Sequence, residues 1–271
     1  MGNLRRLAFT LTLISPLAIG NVFAANEASN ESNSHECRGL PGYSALKQAL
    51  TAARVQPNGG FNLDMWGTVV NRDGLVCAVA FTGNDRGAQW PGSRVISAQK
   101  ANTANAFSLP ALALSTANLF SAVSPGGSLY GLQHSNPVDT TTAYAAPSTR
   151  FGTFNDPMIG HRVGGVNVFG GGLALYSTAH ALVGGIGVSG DTSCADHNIA
   201  WRVRNNLGLD HMAANSGLGL PAVGGVSGDT ARPDNIVFDL DEKGASKSGF
   251  GHPSCINTSD FSKNPLPAVI P

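Results

Sequence analysis

The chain has 271 residues, with 17 Lys and Arg set against 17 Asp and Glu for a formal net charge of zero. Such a balance builds no field that gathers nucleic acid or an anionic membrane surface, so both classes of partner are excluded at the outset. With charged residues at only 13% and 34 glycines, this is a composition of tight turns and close backbone approaches rather than long solvated helices.

In chain order, Arg5 and Arg6 precede an apolar stretch from Leu7 to Val22, and Val22-Phe23-Ala24 satisfies the small-residue rule for signal-peptidase cleavage. Residues 1–24 therefore read as a secretory signal too short for a permanent anchor, and 25–42 as a polar leader. The expected location is periplasmic or secreted, with no membrane attachment after cleavage. Tyr43 to Arg54 carries Leu46, Ala49, Leu50 and Ala53 at helical spacing and stops at Pro57-Asn58-Gly59-Gly60. Trp66 to Val70 and Leu75 to Phe81 predict a hairpin turned by Asp73-Gly74. A loop, GNDRGAQWPGSR, leads into a helix from Val95 to Phe107, and Pro110 opens another expected over Ala111 to Ala122.

Residues 124–164 show little periodicity, and an insertion of that length is a candidate lid. Val166 to Phe169 and Leu173 to Tyr176 predict paired short strands around three glycines, and Ala181 to Val188 a buried strand. Ser189-Gly190-Asp191 then turns into a helix with Ser193 and Asp196 as its capping box and Ala195, Ile199, Val203 and Leu207 as its inward stripe. Beyond Leu209 the glycine-rich tail offers one convincing strand, Ile236 to Leu240; GVSGDT at 187–192 recurs at 225–230 as a reused turn.

The four cysteines, Cys37, Cys77, Cys194 and Cys255, predict two disulfides in an oxidising compartment. Three pairings are open. A helix running back over the first strand would place Cys37 near Cys77 and leave Cys194 for Cys255. A thiolate metal site lacks C-x-x-C spacing, and no C-x-x-C-H, Gly-x-Ser-x-Gly elbow, phosphate loop or dinucleotide fingerprint is present.

Three segments, SAQKANTANAF at 97–107, GGGLALY at 170–176 and LVGGIGVSGDTSCADHNIAWRVR at 182–204, resemble the GlcG/HbpS-like haem-binding family and stand in its order. The resemblance implies an α+β domain over 43–209, with an antiparallel, roughly five-stranded sheet backed by helices, carrying the 124–164 insertion and a 210–271 extension. It also implies haem as cofactor and a homo-oligomer.

The candidate site residues follow from the strand-to-helix corner and the loop expected to face it. Free amides at Ser189, Gly190 and Asp191 suit an anionic group, and His197 in the helix's first turn is the candidate iron ligand, with His180 in the turn before the strand as a second. In the loop, Trp90 offers a flat wall, Arg86 a fork-shaped donor and Ser93 a hydroxyl; Arg94 and Lys100 are cations for haem propionates or a substrate carboxylate. His161 with Arg162 could close over a bound ring; His134, His211 and His252 have less to recommend them. Asp191, Asp196 and His197 could instead hold iron or zinc. The first expectation is an exported protein holding haem or a similar tetrapyrrole non-covalently between the corner and the 85–93 loop. The alternative is an enzyme for a small oxygenated or carboxylated metabolite, with Arg86 or Lys100 on the anion and His197 as general base.

Overall fold

The computed structural model describes residues 35–257 and 265–271. The proposed signal at 1–24 and most of the leader lie outside the described residues, within which no helix is long and apolar enough to cross a membrane. Helix α1 (Tyr43–Arg54) precedes the hairpin β1 (Trp66–Asn71) and β2 (Val76–Phe81); helix α2 (Ser93–Phe107) follows. After the insertion come β3 (Gly172–Tyr176), β4 (Leu182–Ser189) and helix α3 (Ser193–Asn206). The strands form one antiparallel sheet in the order β2-β1-β4-β3.

Helices cover both faces of this sheet. On one face Val69, Ala80, Leu173, Ile186 and Val188 meet Leu46 and Leu50 of α1 and Ile199, Trp201 and Val203 of α3. On the other, Trp66, Val70 and Val79 meet Val95, Ala98 and Ala101 of α2. Strand β4 alternates to suit the two covers: a Cβ at Gly185 or Gly187 would run into the α2 backbone at Ser97 or Ala101. Only glycine allows that helix to lie directly on the strand.

The architecture is α+β as expected, but the sheet has four strands rather than five. Val166–Phe169 stays outside it because its amides are taken elsewhere: Val166 N donates to Asn136 O, Asn167 N to Thr103 Oγ1 and Phe169 N to Asn167 Oδ1. The helix expected over Ala111 to Ala122 is broken. Leu109 and Leu112 pair as a tight turn, and a Ser115/Asn118 capping box restarts the chain as a short 3-10 helix, Thr116–Leu119, before Phe120–Val123. Ile236 to Leu240 makes isolated bridges, Val237 to Gly251 and Leu240 to Ser246, and no strand.

The described parts of both long segments pack on the body of the domain. Short helices at Leu132–Ser135 and Thr140–Ala143 and a 3-10 turn at Ser148–Arg150 order the insertion, and its Ala143, Met158 and Val163 enter the core beside α2. The extension adds Met212, Val223, Leu266 and Val269 to the opposite core, and Trp201 Nε1 donates to Pro267 O at 2.9 Å. The disulfides are Cys37–Cys77 and Cys194–Cys255. Closing chain separations of 40 and 61 residues, each is worth about 4 kcal/mol in the chain-entropy picture.

Candidate functional site

The strand-to-helix corner is built as expected but filled from within. The cap sits one residue earlier than the sequence suggests: Thr192 Oγ1 accepts from Ala195 N, leaving Ser193 as the first helical residue. Asp191 accepts from the amides of Phe61 and Leu63, and Asp196 accepts from Asp191 N at 2.8 Å. Ser189, Gly190 and Asp191 are all buried. The carboxylate of Asp196 thus takes the Asp191 amide foreseen for a ligand anion, and the corner offers none of its three residues to a solute.

Lys100 is the second correction. Its ammonium lies inside the sheet, 2.7 Å from Asp196 Oδ2 and 3.1 Å from Val188 O, so no propionate or substrate carboxylate can reach it. Burial pushes the Asp196 carboxyl up to about 6 despite the pull of Lys100. With Asp191 and Asp196 both engaged, the Asp191, Asp196 and His197 metal site is not assembled.

His197 is fully enclosed, its ring 5.9 Å from that of Trp201, and neither nitrogen makes a well-formed hydrogen bond among the described residues. That excludes it as a general base for a dissolved metabolite and as a ligand for a ring at the surface. Burial pushes its pKa down to about 3. The unfolded chain takes up this proton below about pH 6.5 whereas the folded one does not, so stability falls on acidification by up to about 1.4 kcal/mol per pH unit. His197→Phe is expected to flatten that fall across the window between those two values, and an unchanged slope of Tm against pH would contradict the assignment.

The second iron-ligand candidate, His180, does sit in the β3–β4 turn, in the left-handed region at φ 54°. It is buried with Nδ1 3.0 Å from Pro221 O, which leaves it closed to solvent and far from the role expected of it. His161 is exposed, and Arg162 reaches Asp73 O and Glu36 rather than a cavity.

An open cleft of about 700 Å³ does exist, on the α2 face of the sheet. Its walls come from Trp66 of β1, Arg86 and Pro91 of the loop, Val95 of α2, and Tyr144 and Phe151 of the insertion. Of the loop residues expected to bind, Arg86 lines it; Ser93 is buried at the start of α2, and Trp90, 53% exposed, stands outside the lining. The expected pairing of corner and loop is therefore replaced by insertion and loop.

Arg94 holds this wall in place. Its guanidinium grips the Asp156 carboxylate through Nε at 2.8 Å and through Nη2, with side chains only 2% and 0% exposed. Nη1 donates to Ala143 O at 2.7 Å, next to Tyr144, and the guanidinium carbon lies 3.8 Å from the Phe151 ring centre. Asp156 also accepts from the amides of Gly152 and Met158. At Gly152, with φ 70°, a Cβ would strike Phe81 and Trp66, so glycine lets the insertion pass over the sheet's aromatic pair. Trp66 is buried, and its indole N–H finds no acceptor among the described residues.

This cleft falls within residues 43–204, the span that matches the family described as haem degrading protein HbpS-like. The chain belongs to that family. Among solved structures similar to it are PduOC in complex with haem (22% identity, covering 60% of this chain and 89% of that one, TM-score 0.42). Klebsiella pneumoniae protein ORFY is similar at 25% identity (62% and 90% coverage, TM-score 0.41), and HbpS at 16% (61% and 86%, TM-score 0.38). No curated protein sequence matches. The HbpS-like span ends at Arg204, so the extension that seals the corner, with Asp234, His252 and Cys255, lies beyond it.

The sequence reading missed Trp66, Tyr144 and Phe151 as cleft residues. Trp66 looks like any strand aromatic, and the others sit where no period points. The available signal was the length of the insertion and its four aromatic residues, Tyr130, Tyr144, Phe151 and Phe154.

Proposed function

We propose that this is an exported haem-binding protein that holds haem, or a similar planar tetrapyrrole, non-covalently in the cleft between the 85–92 loop and the insertion. The carrying observation is the cleft itself. About 700 Å³ in volume, it is of the size that accepts a medium-sized ligand, and it is mostly apolar with few polar groups. Trp66, Pro91, Val95 and Phe151 supply apolar wall, and Arg86 at the rim is the cation for a propionate. Tyr144 is the lining residue of a type known to hold haem iron.

Bound haem would supply the iron centre; the protein's part is to wall the macrocycle, anchor its acidic edge and offer a phenol. Membership of the HbpS-like family supports the ligand, and the signal-like N-terminus together with two disulfides supports a periplasmic or secreted location. The same reading expects a homo-oligomer, which sedimentation of the purified protein reports.

Haem titration tests this directly. The native chain is expected to develop a Soret band that saturates at one equivalent, Tyr144→Phe to shift the band and weaken binding about tenfold or more, equivalent to about 1.4 kcal/mol, and His197→Phe to leave it unaltered. Absence of a band contradicts the function; a band indifferent to Tyr144→Phe contradicts the ligand.

A further inference from the structure

A second polar constellation lies on the sealed corner, outside the cleft and outside everything that haem binding uses. Ser193 Oγ and His252 Nε2 are 2.7 Å apart, joined across 59 residues of chain. The other imidazole nitrogen, Nδ1, lies 2.7 Å from Pro253 O. A carbonyl oxygen only accepts, so Nδ1 carries the proton, Nε2 presents its lone pair, and the Ser193 hydroxyl donates to it.

Four further features match what a nucleophilic serine needs. His252 is buried against the Phe120 ring, 5.1 Å between centroids, and burial together with the Lys100 ammonium lowers its pKa, keeping the imidazole neutral. Cys255, three residues on, is tied to Cys194, the neighbour of Ser193, so the disulfide holds base and nucleophile in register. At the start of α3, Cys194 N donates to Cys255 Sγ and Ala195 N to Thr192 Oγ1, whereas the amide of Ser193 itself has no acceptor among the described residues. A helix-start N–H on the nucleophile's own residue is a donor for a developing oxyanion. Gly170 N–H also donates to Ser193 Oγ, at 2.7 Å, and favours its alkoxide character.

We propose that Ser193 and His252 form a catalytic dyad for acyl transfer from small carboxylic esters. Half-buried Ser193 is the accessible member, and half-exposed Phe169 beside Gly170 gives an apolar flank, which points to short acyl groups. The Ser193 oxygen attacks the ester carbonyl while its proton passes to His252 Nε2. Collapse of the tetrahedral adduct breaks the bond to the alcohol oxygen, which leaves with the proton from Nε2, and Ser193 becomes an acyl ester. Water then attacks that ester, giving its proton to Nε2; the carboxylic acid departs and the Ser193 oxygen recovers the proton. The pair lies in none of the hydrolase motifs, since its base comes from the extension.

The mature oxidised protein should be incubated with p-nitrophenyl acetate and, separately, with an alkyl fluorophosphonate, and its peptides mapped by mass spectrometry. The expected results are nitrophenolate release, a single phosphonyl adduct on Ser193, and loss of both in Ser193→Ala. His252→Ala is expected to slow hydrolysis about a hundredfold or more, as for removal of a general base. An intact native chain that takes no label, or takes it elsewhere, overturns the proposal even if the variants misfold. Hydrolysis that persists unchanged in a folded His252→Ala protein overturns it as well.

Discussion

Asp156→Ala is expected to lower stability by about 3–5 kcal/mol, the range for removing one member of a buried ion pair, and to abolish haem uptake with it. The reason lies in what Asp156 gathers. It neutralises Arg94 in a site where both side chains are almost fully enclosed, and it accepts the amides of Gly152 and Met158. Without it, an uncompensated guanidinium remains beneath the Phe151 ring, and the strap carrying Tyr144 and Phe151 loses its anchor on α2. Asp156→Asn keeps the volume while removing the charge, so it separates electrostatics from packing. Denaturant midpoints and Soret absorbance on the same samples provide the check; a loss below about 1 kcal/mol, in the range of surface pairs, with normal haem uptake contradicts the role given to the pair.

Asp234→Ala is expected to be as damaging to stability, again about 3–5 kcal/mol, yet to spare haem binding in the fraction that remains folded. Arg204 and Asp234 are both 0% exposed and joined by two hydrogen bonds, at 2.7 and 2.9 Å. The carboxylate belongs to the extension and the guanidinium to α3, so the pair fastens the tail to the helix on the face opposite the cleft. Arg204 would keep one bond, to Ala174 O at 3.2 Å, but no counter-charge from Asp234. Sites on separate faces with no shared partners behave independently. The two aspartates therefore separate cleanly: equal stability losses, unequal effects on the Soret band. Equal loss of haem binding from folded protein in both variants would contradict the placement of the site.

Local patterns carried much of the fold. Helix α1 was legible from Leu46, Ala49, Leu50 and Ala53, the first hairpin from Asp73-Gly74, and α3 from its fourfold apolar stripe, because in each case the signal lies within a few residues of its effect. Where a side chain competes for the backbone, as Asn167 and Thr103 do beside β3, strand-like composition misled. Charges were the hardest to read. Lys100 looks like a solvated helix residue, but its partner Asp196 lies 96 positions away, and the partner of Arg94 lies 62 away. A helical cation and its buried counter-ion leave no mark on each other's neighbourhood in the chain.

The candidate site was legible to the same degree and for the same reason. Arg86 follows from a polar loop with an unusual Trp-Pro-Gly, and it does line the cleft. His197, in contrast, sits in a chamber completed by Trp201 and by the extension, and its apparent position at a cap says nothing of that cover. The disulfides join Cys37 with Cys77 and Cys194 with Cys255, the one of the three open pairings that a helix folded back over the first strand favours.

Anomalous diffraction at the iron edge from crystals grown with haem locates the metal without reference to any variant. The account places the iron beside Tyr144, with the macrocycle between the 85–92 loop and Phe151; iron found against His197 or His180, or no iron anywhere on the protein, contradicts it.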